Sequence, residues 1–342
     1  MSTHAPFPRE SGADGSWQRQ RSAFREWVRA DGSTPFAPEA GRYHLYVSLA
    51  CPWAHRTVIM RALRGLEDAV SMTVVDPERD ERGWAIRPDQ PGCTDDPVNG
   101  FVFLSEAYAA SDASWEGRVS VPVLWDTVEG RIVNNESTDI LRMLDVEFAG
   151  VARRPEPSYY PDDLAAEMEP LMDDIYERVN NGVYRCGFAT TQEAYDEAFA
   201  DVFAGLDALD ERLASRRYLM GDRLTEADWR LFTTLVRFDP VYVGHFKCNL
   251  RRIADYPNLS GYLRELYQAP GVAETVSLDH IKRHYYRTHG TINPTRIVPE
   301  GPDLTNWLTP HGREALGGNP FGDRTPPGPP REGEQVPVGH GA

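Results

Sequence analysis

The stretch Tyr46-Val-Ser-Leu-Ala-Cys51-Pro-Trp-Ala-His-Arg-Thr-Val-Ile-Met60 leaves the chain few choices. His44-Leu45-Tyr46-Val47 is rich in β-favouring residues. From Arg56 onward, Val58, Ile59, Ala62, Leu63 and Leu66 recur at helical spacing. Pro52 suits the first position of a helix, where its missing N–H costs nothing. The spacing therefore predicts a strand, a tight turn and a helix, with Cys51 at the helix N-terminus. Free backbone N–H groups and the positive end of the helix dipole favour a thiolate there. A free cysteine is also commonly a small buried apolar residue. The proline after Cys51 moves the balance toward a nucleophile. The second position of a Cys-x-x-Cys pair would be residue 54, and it holds Ala54. Such a site has one thiol and needs a small external thiol to regenerate it.

The residues beyond this helix extend the unit. Val70-Ser-Met-Thr-Val-Val-Asp76 reads as a second strand, giving a βαβ unit with a right-handed crossover. Residues 77–118 are broken by Pro77, Pro88, Pro91, Gly92, Pro97 and Gly100, so they read as a long functional loop with one short helix near Leu104–Ala110. Ser120-Val-Pro-Val-Leu-Trp-Asp126 reads as a strand starting at Pro122, paired with Arg131–Asn134. A proline there cannot donate to the ladder, and a cis peptide in a bend is one way to accommodate it. Asn135-Glu-Ser-Thr-Asp139 opens a helix that Ser137 or Asn135 would cap.

The remainder divides around this core. Residues 1–40 read as an arm packed on the domain surface, with a short helix expected at Trp17–Arg29. Residues 41–150 form the first domain, 150–162 a Pro- and Arg-rich linker, and 163–311 an all-helical domain. Its helices are expected at Leu164–Asn181, Thr191–Ser215, Thr225–Val236, Pro257–Gln268 and Leu278–Arg287. Thr225 stands three residues before Asp228, close to a capping box. Residues 312–342 read as a disordered tail.

Charge and cysteine usage exclude several functions. A net charge of −16 over 342 residues argues against nucleic acid or an anionic membrane as partner. The four cysteines (51, 93, 186 and 248) lack the spacing of a disulfide framework or zinc site. A reducing, cytoplasmic location is expected, with no signal peptide visible and no apolar stretch long enough to span a bilayer. His280 and His284 stand four apart, a spacing that can hold a metal. Lys282, Arg283 and Arg287 around them suggest a solvated basic face instead, so no metal is expected. Paired acids such as Asp162-Asp163 read as solvated helix charges, and no dinucleotide or phosphate-loop fingerprint is present.

The order β-α-β, long loop, β-β-α, with Cys-Pro on the first helix, Val-Pro before the third strand and Glu-Ser opening the last helix, resembles a thioredoxin-like domain. With the all-helical half behind it, the chain resembles the cytosolic glutathione transferase fold. Cys51-Pro-Trp-Ala-His-Arg-Thr, Val121-Pro-Val-Leu-Trp-Asp, Asn135-Glu-Ser, Asn181-Gly-Val-Tyr-Arg-Cys-Gly-Phe-Ala, Val241-Tyr-Val-Gly-His-Phe-Lys-Cys-Asn-Leu and His280-Ile-Lys-Arg-His-Tyr-Tyr are similar to the glutathionyl-hydroquinone reductases, the Xi class of glutathione transferases. The resemblance spans roughly residues 15–312.

The resemblance implies reduction of S-glutathionyl-hydroquinones, with glutathione as co-substrate and no permanently bound cofactor. Cys51 would be the nucleophile and Tyr184 the general acid. Tyr242 and Tyr285 would donate hydrogen bonds to the thiolate, with Tyr286 an alternative to Tyr285. Trp84, the run Arg118, Val119, Ser120 and Val121, and Glu136 with Ser137 would hold glutathione. A homodimer through the helical domain is also implied. Each assignment has a plainer reading beside it. A helical tyrosine is commonly half-buried packing, Trp84 could merely anchor its loop, and Glu136-Ser137 alone reads as a helix cap. Two rival functions remain: a broader one-thiol transferase acting on mixed disulfides or dehydroascorbate, and a non-catalytic binding protein on the same fold.

Overall fold

A computed structural model describes residues 10–155 and 157–318. The first half builds β1 (Tyr43–Val47), α1 (Pro52–Arg64), β2 (Val70–Val74), α2 (Leu104–Ser111), β3 (Val123–Asp126), β4 (Arg131–Asn134) and α3 (Ser137–Val146). The sheet runs β2-β1-β3-β4, with β1 parallel to β2 and antiparallel to β3, and β3 antiparallel to β4. All five residues of β1 are buried, as befits a central strand covered on both faces. α1 ends on Gly65 at φ 63°, the left-handed conformation that glycine reaches without a Cβ clash. The Val121–Pro122 peptide is cis.

Two local expectations are corrected in this half. α3 is capped by neither Ser137 nor Asn135. Glu136 is the cap, its carboxylate accepting from the Thr138 N–H. Asn135 is committed elsewhere: its side chain accepts from the Phe24 N–H and donates to the Tyr108 hydroxyl. The helix expected at Trp17–Arg29 does not form. The segment instead runs along the edge of β4, with Glu26 N–H on the Val133 carbonyl at 3.1 Å and Asn135 N–H on the Phe24 carbonyl at 3.0 Å. An open sheet edge offers the arm's backbone the partners that a helix would have supplied internally.

The second half is helical: α4 (Ala165–Ile175), α5 (Gly182–Phe188), α6 (Gln192–Leu213), α7 (Glu226–Arg237), α8 (Leu259–Gln268) and α9 (Leu278–Thr288). The helix expected over Leu164–Asn181 relaxes into a wider π turn at Tyr176–Asn180. A second π turn, Phe238–Tyr242, comes after α7. Thr225 and Asp228 form the capping box at the start of α7. Within the stretch 312–318, expected as part of a disordered tail, Arg313 is buried and its guanidinium donates to the Leu213 and Arg217 carbonyls, while the residues around it are exposed. Residues 319–342 of that tail lie outside the described residues.

Polar groups join the halves where the site will be. The buried Arg64–Asp145 ion pair organises the linker: Arg64 also donates to the Arg154 and Pro155 carbonyls, while Asp145 accepts from Ser158 and the Tyr159 N–H. Arg56 of α1 donates to Asn180. Arg237, at the end of α7 and fully buried, donates to the Leu49 carbonyl at 2.9 Å and the Ala50 carbonyl at 2.9 Å. It thereby grips the turn just before Cys51 from the opposite half. Among the described residues, no helix is long and apolar enough to cross a membrane.

Candidate active site

Cys51 occupies the N-cap of α1 with extended backbone (φ −80°, ψ 122°), and Pro52 stands at the first helical position. The local signal in the sequence thus placed it correctly. It is partly exposed, and its Sγ lies 3.8 Å from the Val121 carbonyl. Two cavities meet at this sulfur. One, of about 350 Å³, is lined by Arg19, Ser22, Trp84, Arg118, Ser120 and Val121. The other, of about 610 Å³, is lined by Trp17, Arg79, Tyr184, Phe188, Tyr285 and His289.

The first cavity gathers most of the residues expected to hold glutathione. Trp84 is buried, stacked on His284 at 5.2 Å, and its indole N–H has no hydrogen-bond partner among the described residues. Arg118 pairs with Glu10 of the arm. Ser120 faces the cavity, with its backbone N–H and carbonyl tied to the Tyr108 hydroxyl. Val119 is buried and lines neither cavity. Ser22 of the arm donates to the Glu136 carboxylate at 2.9 Å. Burial pushes the Glu136 carboxyl up, but the charge of Arg19, the hydrogen bonds from Ser22 and Thr138, and the charge of Arg56 together hold it below the ordinary carboxylate range. Ser137 is buried, with its hydroxyl turned to Glu136.

The second cavity brings the phenols together from three separate elements. The Tyr184 hydroxyl from α5 meets that of Tyr285 from α9 at 2.5 Å, and Tyr285 meets Tyr242 at 3.1 Å. Tyr286 points away, donating to the Pro240 carbonyl, so Tyr285 is the member of this pair that joins the cluster. The hydroxyls bond to one another, whereas the sulfur's bond is to Val121. Burial, and then the nearby Cys51, push the Tyr184 phenol up to about 12. Burial raises Tyr242 and Tyr285 well above the ordinary phenol value. All three phenols are therefore protonated at neutral pH.

His280 and His284 do not lie on a solvated face. Both are buried, and their rings hold the long loop by its carbonyls, at 2.7 Å to Pro91 and 2.7 Å to Pro77. Sequence reasoning missed several site residues. Trp17 stacks on Tyr184 at 5.5 Å, and Arg19, Ser22 and Glu10 come from the same arm. Nothing in that polar, Gly-containing segment signals a site. Arg79 sits over the Trp84 ring at 4.9 Å. It could have been suspected, because loops leaving the carboxyl ends of strands line the binding crevice in α/β folds.

Comparison with known proteins agrees with this architecture. Residues 50–147 match the family described as glutathione S-transferase, N-terminal domain, and residues 192–265 match glutathione S-transferase, C-terminal domain. The chain is 53% identical over 308 residues to glutathionyl-hydroquinone reductase YqjG of Escherichia coli K12, spanning 88% of this chain and 93% of the relative. It is 51% identical to glutathionyl-hydroquinone reductase PcpF of Sphingobium chlorophenolicum, over 84% of this chain and 90% of the relative. Among solved structures, the Xi-class transferase of Natrialba magadii superposes with a TM-score of 0.86 at 52% identity, covering 92% of this chain and all of the other (100%). The glutathione-bound structure of YqjG superposes with a TM-score of 0.82 at 52% identity, covering 88% of this chain and 98% of that one.

Proposed function

The chain belongs to the glutathionyl-hydroquinone reductases, the Xi class of glutathione transferases, and from that premise we propose that it reduces S-glutathionyl-hydroquinones to hydroquinones at the expense of glutathione. The observation that carries this reading is the position of the Cys51 sulfur where the two cavities meet, with the Tyr184 phenol in the wall of the second.

The chemistry runs in two exchanges. The Cys51 thiolate attacks the sulfur of the conjugate. A Cys51–glutathione disulfide forms, the sulfur–aryl bond breaks, and its electron pair goes to the ring carbon. Tyr184 supplies the proton that this carbon needs. A second glutathione, as thiolate, then attacks the mixed disulfide and leaves as oxidised glutathione, returning free Cys51. Ala54 fits this scheme, because no thiol stands at the second position of the Cys-x-x-Cys spacing to compete for the second step.

The first cavity holds the tripeptide in this reading. Trp84 offers an indole N–H that is unpaired among the described residues, and Arg118 a cation. The Val121 backbone can pair with the cysteinyl backbone like an added strand. Glu136 takes the α-ammonium, its charge secured by Arg19 and Ser22. Tyr242 and Tyr285 orient Tyr184 and stand ready to donate toward the thiolate. The same reading includes a homodimer through the helical half and a cytoplasmic location, where reduced glutathione is available. Light scattering of the purified chain tests the dimer.

The test is hydroquinone release from glutathionyl-menadiol and glutathionyl-chlorohydroquinone in the presence of glutathione. Cys51→Ala should lower turnover at least about 10³-fold while glutathione affinity changes only a few-fold. Retained turnover refutes the mechanism. A wild-type enzyme that is silent on both conjugates but active on a mixed disulfide is a broader one-thiol transferase.

A further inference from the structure

Glutathione carries two carboxylates and one ammonium, and a binding site must answer all three charges. Glu136 answers the ammonium and Arg118 can answer one carboxylate. The second carboxylate, beside the ammonium on the γ-glutamyl end, needs a donor that faces the cavity. The Ser137 side chain is buried, with its hydroxyl 3.4 Å from the Glu136 carboxylate, and neither Ser137 nor Glu136 is among the residues lining the two cavities. The cation next to Glu136 that does face the cavity comes from outside the thioredoxin-like domain. We propose that Arg19, on the N-terminal arm, binds the γ-glutamyl α-carboxylate and is a determinant of glutathione specificity.

The inference rests on the glutathione-dependent reading above and on four observations. Arg19 lines both cavities that open onto Cys51. Its guanidinium is stacked over the Trp53 ring at 4.0 Å, which holds the planar fork in place while leaving its N–H edges free to donate. No carboxylate or carbonyl accepts from that guanidinium among the described residues. The arm fixes its position from both sides: Trp17 stacks on Tyr184 and Phe188, and Ser22 bonds to the Asn135 carbonyl and the Glu136 carboxylate.

Glu136 and Arg19 then form an anion–cation pair matched to the zwitterionic head of the γ-glutamyl group. A thiol without that head, such as cysteinylglycine, leaves both charges unanswered, and the site discriminates against it. Arg21 also lines the first cavity, but it is exposed, and no ring or carboxylate among the described residues holds it.

The test is calorimetric binding of reduced glutathione and of its γ-glutamyl α-carboxamide to the full-length protein under reducing conditions. Wild type should prefer glutathione over the amide by about 10- to 100-fold, the range of a charge-assisted hydrogen bond. Arg19→Ala should lose affinity for glutathione by the same factor and no longer distinguish the two ligands. Arg19→Lys should recover part of the preference, and Arg21→Ala should keep it. Equal affinity of wild type for both ligands, or loss of the preference in Arg21→Ala instead, overturns the assignment while leaving the reductase reading intact. Failure of wild type to bind glutathione at all overturns both. Circular dichroism confirms that each variant is folded.

Discussion

The two walls that meet at Cys51 are assembled in opposite ways. On the thioredoxin-like side, three of the groups proposed to meet glutathione sit where an element begins: Cys51 before α1, Val121 before β3 and Glu136 before α3. Element ends leave backbone N–H and C=O groups without internal partners, so short stretches there can bind a peptide with little side-chain chemistry. On the helical side, Tyr184 lies within α5, Tyr242 in the turn after α7 and Tyr285 within α9. Nothing about a helix interior is reactive; the phenols gain a role only by converging in one aromatic cluster with Phe246. Thiol exchange suits the first kind of wall, and placing one proton on one carbon suits the second.

Tyr184→Phe tests this division of labour most sharply. Hydroquinone release should fall about 10²- to 10⁴-fold, the range for loss of a positioned acid. Exchange between Cys51 and a simple glutathione mixed disulfide should stay near wild type, because no aryl carbon is protonated there. Equal loss in both assays would merge the two walls into one function.

Acid should separate the halves by stability. Burial, as the leading cause, holds His44 at about 4, His245 at about 4 and His284 at about 3, all below the ordinary 6.5. The unfolded chain binds protons at these positions below pH 6.5 while the folded chain does not. Stability therefore falls with pH from about 6.5 until the folded values are reached. Between pH 7 and 5 the loss should be up to about 2 kcal/mol per histidine, read from denaturant midpoints. His44 belongs to β1, and the other two to the helical half, so hydrogen exchange at pH 5 should rise first among the helices. A flat stability profile over this window would show that these rings accept protons in the folded state.

Ser22→Ala is the smallest perturbation. It removes the arm's hydroxyl from Glu136 and should weaken glutathione binding about 5-fold, with kcat unchanged, in steady-state kinetics. A drop in kcat alone would mean that the arm serves the phenol wall rather than the tripeptide.

The same contrast explains which parts of the site are legible in the amino-acid order. Cys51-Pro52, Val121-Pro122 and Glu136-Ser137 announce themselves as punctuation between periodic segments, and such signals are local. The helices of the second half are legible from apolar periodicity, but their meeting point is not. Tyr184, Tyr242 and Tyr285 can be singled out only by resemblance to a family, and within that resemblance Tyr285 and Tyr286 are indistinguishable. The backbone of α9 decides between them, turning one hydroxyl to the cluster and the other to Pro240. The arm's expected helix fails because the β4 edge it meets supplies its backbone with partners, and its polar sequence carries no strand pattern to announce that pairing.

The setting of Cys51 is local in origin. A β-favouring run, a Cys-Pro step and a 3.6-residue apolar repeat place a lone thiol at a helix N-terminus whatever else the chain does, because each of those preferences acts over a few residues. The surroundings of that thiol needed the whole fold. Packing brought Arg237 from α7 to the Leu49 and Ala50 carbonyls, three phenols to within hydrogen-bond reach of one another, and Arg19 and Ser22 from a distant arm to the cavity beside Cys51. Those contacts join residues tens to hundreds of positions apart, and their energy comes from burying and pairing groups that are not neighbours in the chain.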